Sequence, residues 1–244
     1  MLAEKTVAGR SRYVSAKDFL FLDEQEISIP ERAMTFEGFC KWACSDDYPE
    51  KARISWIGEE IFIDMTPEKA DSHISVKQAF NRVIDSLAEE LNLGIYFPDG
   101  LRIIHRRAKL SNMPDACVIG HKAVAEGRIK RILDSDGEDC TSLEGSPDWV
   151  LEIISKSSVR KDTKTLKTRY YRAGVQEYWL VDARRKDQID FQIFIRGKEE
   201  FKSQPRNGGW LTSPYFARRF SLRRRTYPGD FWRYELQVAT MAGE

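Results

Sequence analysis

The chain has 244 residues, 41% of them hydrophobic and 32% charged, and a formal net charge of only +1. That length supports one substantial core with extensions, and the near-neutral balance excludes a global basic field that would announce a nucleic-acid partner by composition alone. No apolar run approaches the roughly 18 residues needed to cross a bilayer, and the opening MLAEKTVAGRSRYVS lacks the apolar core of a secretory signal, so cytoplasmic residence and no membrane partner are expected.

Residues 1–30 show no periodicity and read as a peripheral arm. The organisation drawn from the pattern is an N-terminal extension at 1–33, a single domain at 34–236 and a tail at 237–244. Thr35 is an N-cap for a helix whose apolar residues Phe36, Phe39, Cys40 and Ala43 recur at helical spacing. RISWIGEEIFIDMTP alternates about Gly58-Glu59 and predicts a β-hairpin. A long helix follows from about Ala70 to Leu91, with Ile74, Phe80, Ile84 and Leu87 on its apolar face and Gly94 at its end. GIYFPDGLRIIHR predicts a strand broken at Pro98-Asp99-Gly100, and MPDACVIG predicts another. From His121 to Ser146 the chain turns polar, and DSDGEDCTSLEGS reads as a loop or flap. The strand Asp148–Ile154 is next. Asp162 is then an N-cap for a helix at 163–173 that Gly174 closes. EYWLVD is a short buried strand, DFQIFIRG follows it, and the tail carries the arginine-rich ARRFSLRRR.

Cys40 and Cys44 lie one helical turn apart, but no neighbouring cysteine or histidine completes a zinc set. Cys117 falls inside an apolar strand, and Cys140 stands alone. Walker-type loops, GxGxxG, GxSxG and HExxH are absent, which argues against the common nucleotide-binding, hydrolase and zincin schemes. The elements together predict an α/β fold with a mixed sheet and helices packed against it.

The informative residues are acidic. Glu152 interrupts the apolar run Val150-Leu151-Glu152-Ile153-Ile154, and a buried carboxylate is costly unless it is paired or holds a cation. Asp148 shares its strand face but lies four residues away, about 13 Å at 3.3 Å per residue, too far to chelate one ion with it. Asp115 is on another strand, and neighbouring strands are about 4.8 Å apart, so Asp115 and Glu152 form the workable pair. No lysine follows Glu152 on its own strand face, where Ile154 stands. The next helix offers Lys164 and Lys167, which overlap on one face, with Leu166, Tyr170 and Ala173 as the buried stripe. Each of these residues also has a plain structural reading, as an ion-paired glutamate, a turn aspartate after Pro114 or a solvated lysine.

PD at 114–115, PDWVLEIISKSS, the Asp–helix–Tyr–Ala-Gly-Val element and EYWLVD resemble the Uma-type endonuclease family of the restriction-endonuclease-like, PD-(D/E)XK nuclease superfamily, over roughly residues 34–235. The resemblance implies a restriction-endonuclease-like core, with a mixed central β-sheet flanked by helices and preceded by a β-hairpin. It implies a magnesium- or manganese-dependent endonuclease acting on DNA, with Asp115 and Glu152 as metal ligands and Glu60 and His73 as accessory polar residues. The superfamily lysine column is Ile154 here and the family's helix-lysine column is Leu166, so Lys167 or Lys164 is expected to substitute. Arg223, Arg224 and Arg225 form the densest basic run and are expected to contact nucleic acid. Homodimerisation stays open. Two rival readings are a catalytically inactive nucleic-acid-binding or regulatory module and a protein-interaction module whose buried carboxylates are simply paired.

Overall fold

The structure, a computed structural model, describes residues 11–14 (backbone only), 29–49, 52–64 and 66–241. The extension expected over 1–33 therefore lies largely outside the described residues. Its one strand in view is β1 (Ser11–Val14), followed by a 3-10 turn at Glu31–Met34. The Thr35 hydroxyl accepts from the Gly38 amide at 3.1 Å and starts α1 (Phe36–Ala43), which satisfies one of the orphan donors of the first turn. The expected hairpin is β2 (Arg53–Ile57) with β3 (Glu60–Asp64), and β1 pairs antiparallel along β3.

A π-helical turn at Ala70–Ile74 leads into α2 (Ser75–Glu90). Val76, Phe80, Ile84 and Leu87 bury one face of α2, whereas Ile74 is half-exposed, since it belongs to the π turn and not to that stripe. The helix does not end on Gly94. Leu91 caps it, Asn92 takes the left-handed conformation (φ 50°) and Gly94 opens the next strand, β4 (Gly94–Phe97). Gly94 is needed for close approach, because a Cβ there would lie 2.0 Å from the Ile119 carbonyl oxygen. Gly94→Ala should destabilise the protein by about 1–3 kcal/mol through overpacking, read as a lower urea midpoint at unchanged slope.

The Pro98-Asp99-Gly100 break carries the chain from one sheet to another: β5 (Arg102–His105) and β6 (Leu110–Asn112) join the hairpin, while β7 (Ala116–Gly120) returns beside β4. The segment expected as a loop or flap instead folds as α3 (His121–Ala125), β8 (Ile129–Leu133) and β9 (Cys140–Gly145). Its polar residues are compatible with strands because β8 closes one edge of the sheet with an exposed face. Then come β10 (Trp149–Ile153), a π-helical turn at Lys161–Leu166, α4 (Lys167–Ala173) and β11 (Glu177–Asp182). Gly174 closes α4 at φ 104° as expected. Asp162 is not the cap: it lies inside the π turn, its amide donates to the Ser158 carbonyl, and it is buried. The chain ends with β12 (Asp190–Arg196), β13 (Phe201–Ser203), β14 (Leu211–Ser213), β15 (Arg218–Thr226) and β16 (Trp232–Thr240). β16 thus continues past residue 236, where the tail was drawn.

The central mixed sheet has the order β13-β12-β11-β10-β7-β4, with β10 and β11 parallel and the other neighbours antiparallel. The fold is mixed α/β, with a mixed central sheet, flanking helices and a preceding hairpin. The hairpin is part of a larger second sheet, β1-β3-β2-β6-β5-β9-β8. Between the two sheets lies a core of Phe62, Ile103, Leu110, Val150, Leu180 and residues of α4. The opposite face of the central sheet packs Trp149, Trp179 and Phe191 against α2 and the three-stranded sheet β14-β15-β16. Among the described residues no helix is long and apolar enough to cross a membrane.

Candidate active site

β10 and β7 run antiparallel with Leu151 opposite Ala116, so one step further sets Glu152 against Asp115. Both side chains face the inter-sheet side, where they line one small cavity together with Arg53, Asp64, His73, Asn112, Lys161 and Asp162. Strand pairing therefore brings together the two carboxylates picked out by the sequence.

Glu152 is 3% exposed. Its Oε1 accepts from the Tyr170 hydroxyl at 2.6 Å and from Asn112 Nδ2 at 3.0 Å, which fixes the carboxylate while Oε2 stays outside that pair of bonds. Burial pushes the Glu152 carboxyl up to about 8, with the Asp162 and Asp115 charges adding to the rise. Asp162 is likewise pushed up by burial, to about 6. Its Oδ2 accepts from Ser158, while its buried Oδ1 has no hydrogen-bond partner. Lys161 Nζ lies 3.4 Å from that same Oδ1. Burial alone would lower the Lys161 ammonium, but Asp162, Glu152 and Asp115 outweigh it and hold the amine charged.

Asp115 is fixed differently. Its Oδ2 accepts from the Ile153 amide at 2.7 Å, Lys77 Nζ approaches Oδ1 at 3.1 Å, and His73 Nε2 stands 3.5 Å from Oδ2. Burial opposes ionisation, but the His73 and Lys77 charges prevail and hold the carboxyl well below the usual range. His73 Nε2 is 3.1 Å from the Ile153 carbonyl, and Nδ1 is 3.3 Å from Glu68 Oε2, out of line for a hydrogen bond, so that second attraction is ionic. Lys77 also reaches Glu68 and Asp99, each at 2.6 Å, and Arg53 bridges the same two acids at 2.9 and 2.8 Å.

Burial would lower the His73 imidazolium, but Asp115 and Glu68 raise it to about 9. Glu68 is correspondingly lowered to about 2, first by its contact with His73. A raised histidine contributes stability that is complete below about pH 6.5 and lost as pH rises through 9, whereas the lowered Glu68 loses its contribution as pH falls from about 4.5 towards 2. The His73 contribution should therefore fall by up to about 3 kcal/mol between pH 6.5 and 9, in addition to the loss from the raised Glu152 carboxyl up to about pH 8. His73→Gln should remove the histidine's share of the slope and leave that of Glu152, in thermal melts taken across the range.

Glu60 opens β3 beside the hairpin turn, about 13 Å of strand from Asp64, and it is Asp64 that lines the cavity. Lys164 is exposed and Lys167 sits 3.8 Å over the Phe194 ring; neither lines the cavity. Lys161 is the helix lysine at this site. The helix begins before Asp162, and its wide turn directs Lys161 inward. Leu166 is fully buried in the core. Of the basic run, Arg224 is turned inward to the Trp232 ring at 4.2 Å and the Arg185 carbonyl at 2.8 Å, and Arg225 pairs with Glu235 at 2.7 Å. Arg223 is exposed.

Three buried carboxylates around one cavity, two of them held towards neutrality by burial and mutual repulsion, form a donor set suited to a hard divalent cation. Asp162 Oδ1, which has no hydrogen bond and faces the Lys161 amine at 3.4 Å, agrees with such a fit. Among the described residues, one group offers three metal-capable atoms within 4.8 Å of each other: Glu68, His73 and Asp115. In the metal-free protein its imidazole stands between the Asp115 and Glu68 carboxylates. Asp115 belongs to both sets.

A family model, Uma2, with the description "Putative restriction endonuclease", matches residues 36–224. The fold is similar to the crystal structure of a "putative nuclease belonging to DUF820" from Anabaena variabilis ATCC 29413, with a TM-score of 0.54 and 22% identity, covering 75% of this chain and 90% of that one. No curated protein matches the chain.

Proposed function

Because the chain belongs to the Uma2 putative restriction endonuclease family, we propose that it is a magnesium- or manganese-dependent endonuclease that hydrolyses phosphodiester bonds in DNA. The observation that carries this reading is the meeting of Asp115 and Glu152 from adjacent strands in one cavity with Lys161. Asp115 and Glu152 would hold the ion, which supplies Lewis-acid activation of the attacking water and neutralises charge at the phosphoryl oxygens. Tyr170 and Asn112 orient Glu152, and the Ile153 amide orients Asp115. Lys161 is a fixed positive charge for the oxygens that gain charge in the transition state, and Asp162 holds it in place. This amine would supply the positive charge that Ile154 and Leu166 leave out of the two lysine columns, which supports the enzyme over an inactive module.

The test is conversion of supercoiled plasmid to nicked or linear DNA by the purified protein with magnesium or manganese, and its suppression by a chelator. Retention of full cleavage in the chelator would rule out the metal-dependent reading. Loss of metal binding in Glu152→Ala but not in His73→Gln would assign the ion to the strand carboxylates and not to the Glu68–His73–Asp115 group.

A further inference from the structure

We infer that the ribbon formed by the distal halves of β15 and β16 is a second DNA-engaging element, gripping duplex DNA beside the cavity; the inference rests on the nuclease reading. The family match stops at residue 224, and the ribbon tip lies beyond it.

In the ribbon register Arg225 stands directly opposite Arg233. Like charges directly across a ladder destabilise it, so the pairing calls for an anionic partner. Glu235 stands opposite Arg223 and pairs with Arg225 at 2.7 Å, so one acid serves two arginines, while Arg233 lies 5.7 Å from the centre of the Tyr227 ring. Arg223, two residues before Arg225, shares this outer face and is exposed. At the tip, Tyr227 and Phe231 are 45% and 64% exposed. Arginines beside exposed aromatics suit phosphates together with sugars or bases, and a two-stranded ribbon fits the major groove, about 12 Å wide.

The inner face is committed and fixes where the ribbon stands. Trp232 donates its amide to Asp71 Oδ1 at 2.9 Å, and Asp71 lies two residues before His73 in the same π turn. Arg224 binds the Arg185 carbonyl, next to Arg184, which lines the groove shared by Arg53 and His73. These contacts tie the ribbon to the π turn that carries His73.

The experiment uses the full chain in a chelator, a short fluorescein-labelled duplex and its single strand, and anisotropy titrations over a range of salt. The double variant Arg225→Gln/Arg233→Gln should bind the duplex about tenfold more weakly, with a log–log salt slope smaller by up to about 1.8. Phe231→Ser should lower affinity severalfold and leave the slope unchanged. Melting temperatures should be no lower than the parent's, and the magnesium-induced shift should match it. A parent that cleaves plasmid and binds duplex, with both variants indistinguishable from it, would overturn the ribbon and leave the nuclease reading standing. The ribbon is equally overturned if Phe231→Ser alters only the oligomeric state, or if only single-strand affinity falls. A parent that neither binds nor cleaves DNA overturns both.

Discussion

Glu152→Gln should abolish metal-dependent cleavage while leaving the fold intact. The amide is isosteric, and its oxygen can still accept from Tyr170 and Asn112, the two donors that fix the carboxylate. What it cannot do is carry the negative charge a divalent ion needs. The expected loss is at least about a thousandfold in nicking rate, equivalent to about 4 kcal/mol of barrier. The stability change should go the other way. A carboxyl raised to about 8 in the folded state costs stability increasingly as pH rises from its unfolded value near 4.5 through 8. The metal-free variant should then melt no lower than the parent at pH 8 and above. Magnesium or manganese at a hundred times the dissociation constant stabilises a binding-competent protein by about 2.7 kcal/mol, and that shift should vanish in the variant. A full shift, or wild-type nicking, would remove Glu152 from the metal site.

Lys161→Met is expected to have the second-largest effect, a loss of about a hundredfold or more in turnover. Metal affinity should change less than turnover, because the amine is not a ligand. Removing it also strips the buried acids of their nearest positive charge, so the variant should melt lower and show Asp162 and Glu152 still further from ionisation. Lys164→Ala and Lys167→Ala should cleave like the parent, since one side chain is exposed and the other covers Phe194. Rates measured at saturating metal separate these outcomes. If Lys161→Met matched the parent and Lys167→Ala did not, the assignment of the lysine would be reversed.

The acidic pair was legible in the sequence because Glu152 interrupts one apolar strand and Asp115 leads directly into another, and strand spacing is a ruler that sequence supplies directly. The β10–α4–β11 unit was legible for a similar reason: buried apolar runs flank a helix closed by Gly174. Lys161 was hidden by a rule that is usually sound. An aspartate before a helical pattern reads as a cap, which puts the preceding lysine outside the helix; here burial of Asp162 against Ser158 and Lys161 wins over capping. The network of Arg53, Lys77, Glu68 and Asp99 was illegible because its members come from four separate segments that only the fold brings together. The strands β8 and β9 were missed because an edge with a solvated face carries little apolar signal.

The two π turns, at Ala70–Ile74 and Lys161–Leu166, both border the cavity and present His73, Lys161 and Asp162 to it. Each winds one residue more into its turn than a regular α-helix does. Length, as distinct from residue type, is therefore part of the specification at these points. Deleting a single residue from either turn would let the helix rewind to ordinary pitch and swing its functional side chain away, with both sheets left paired. A search that assumes uniform helical spacing will look for the lysine at the wrong position, and a chain shortened there could keep its shape and lose its chemistry.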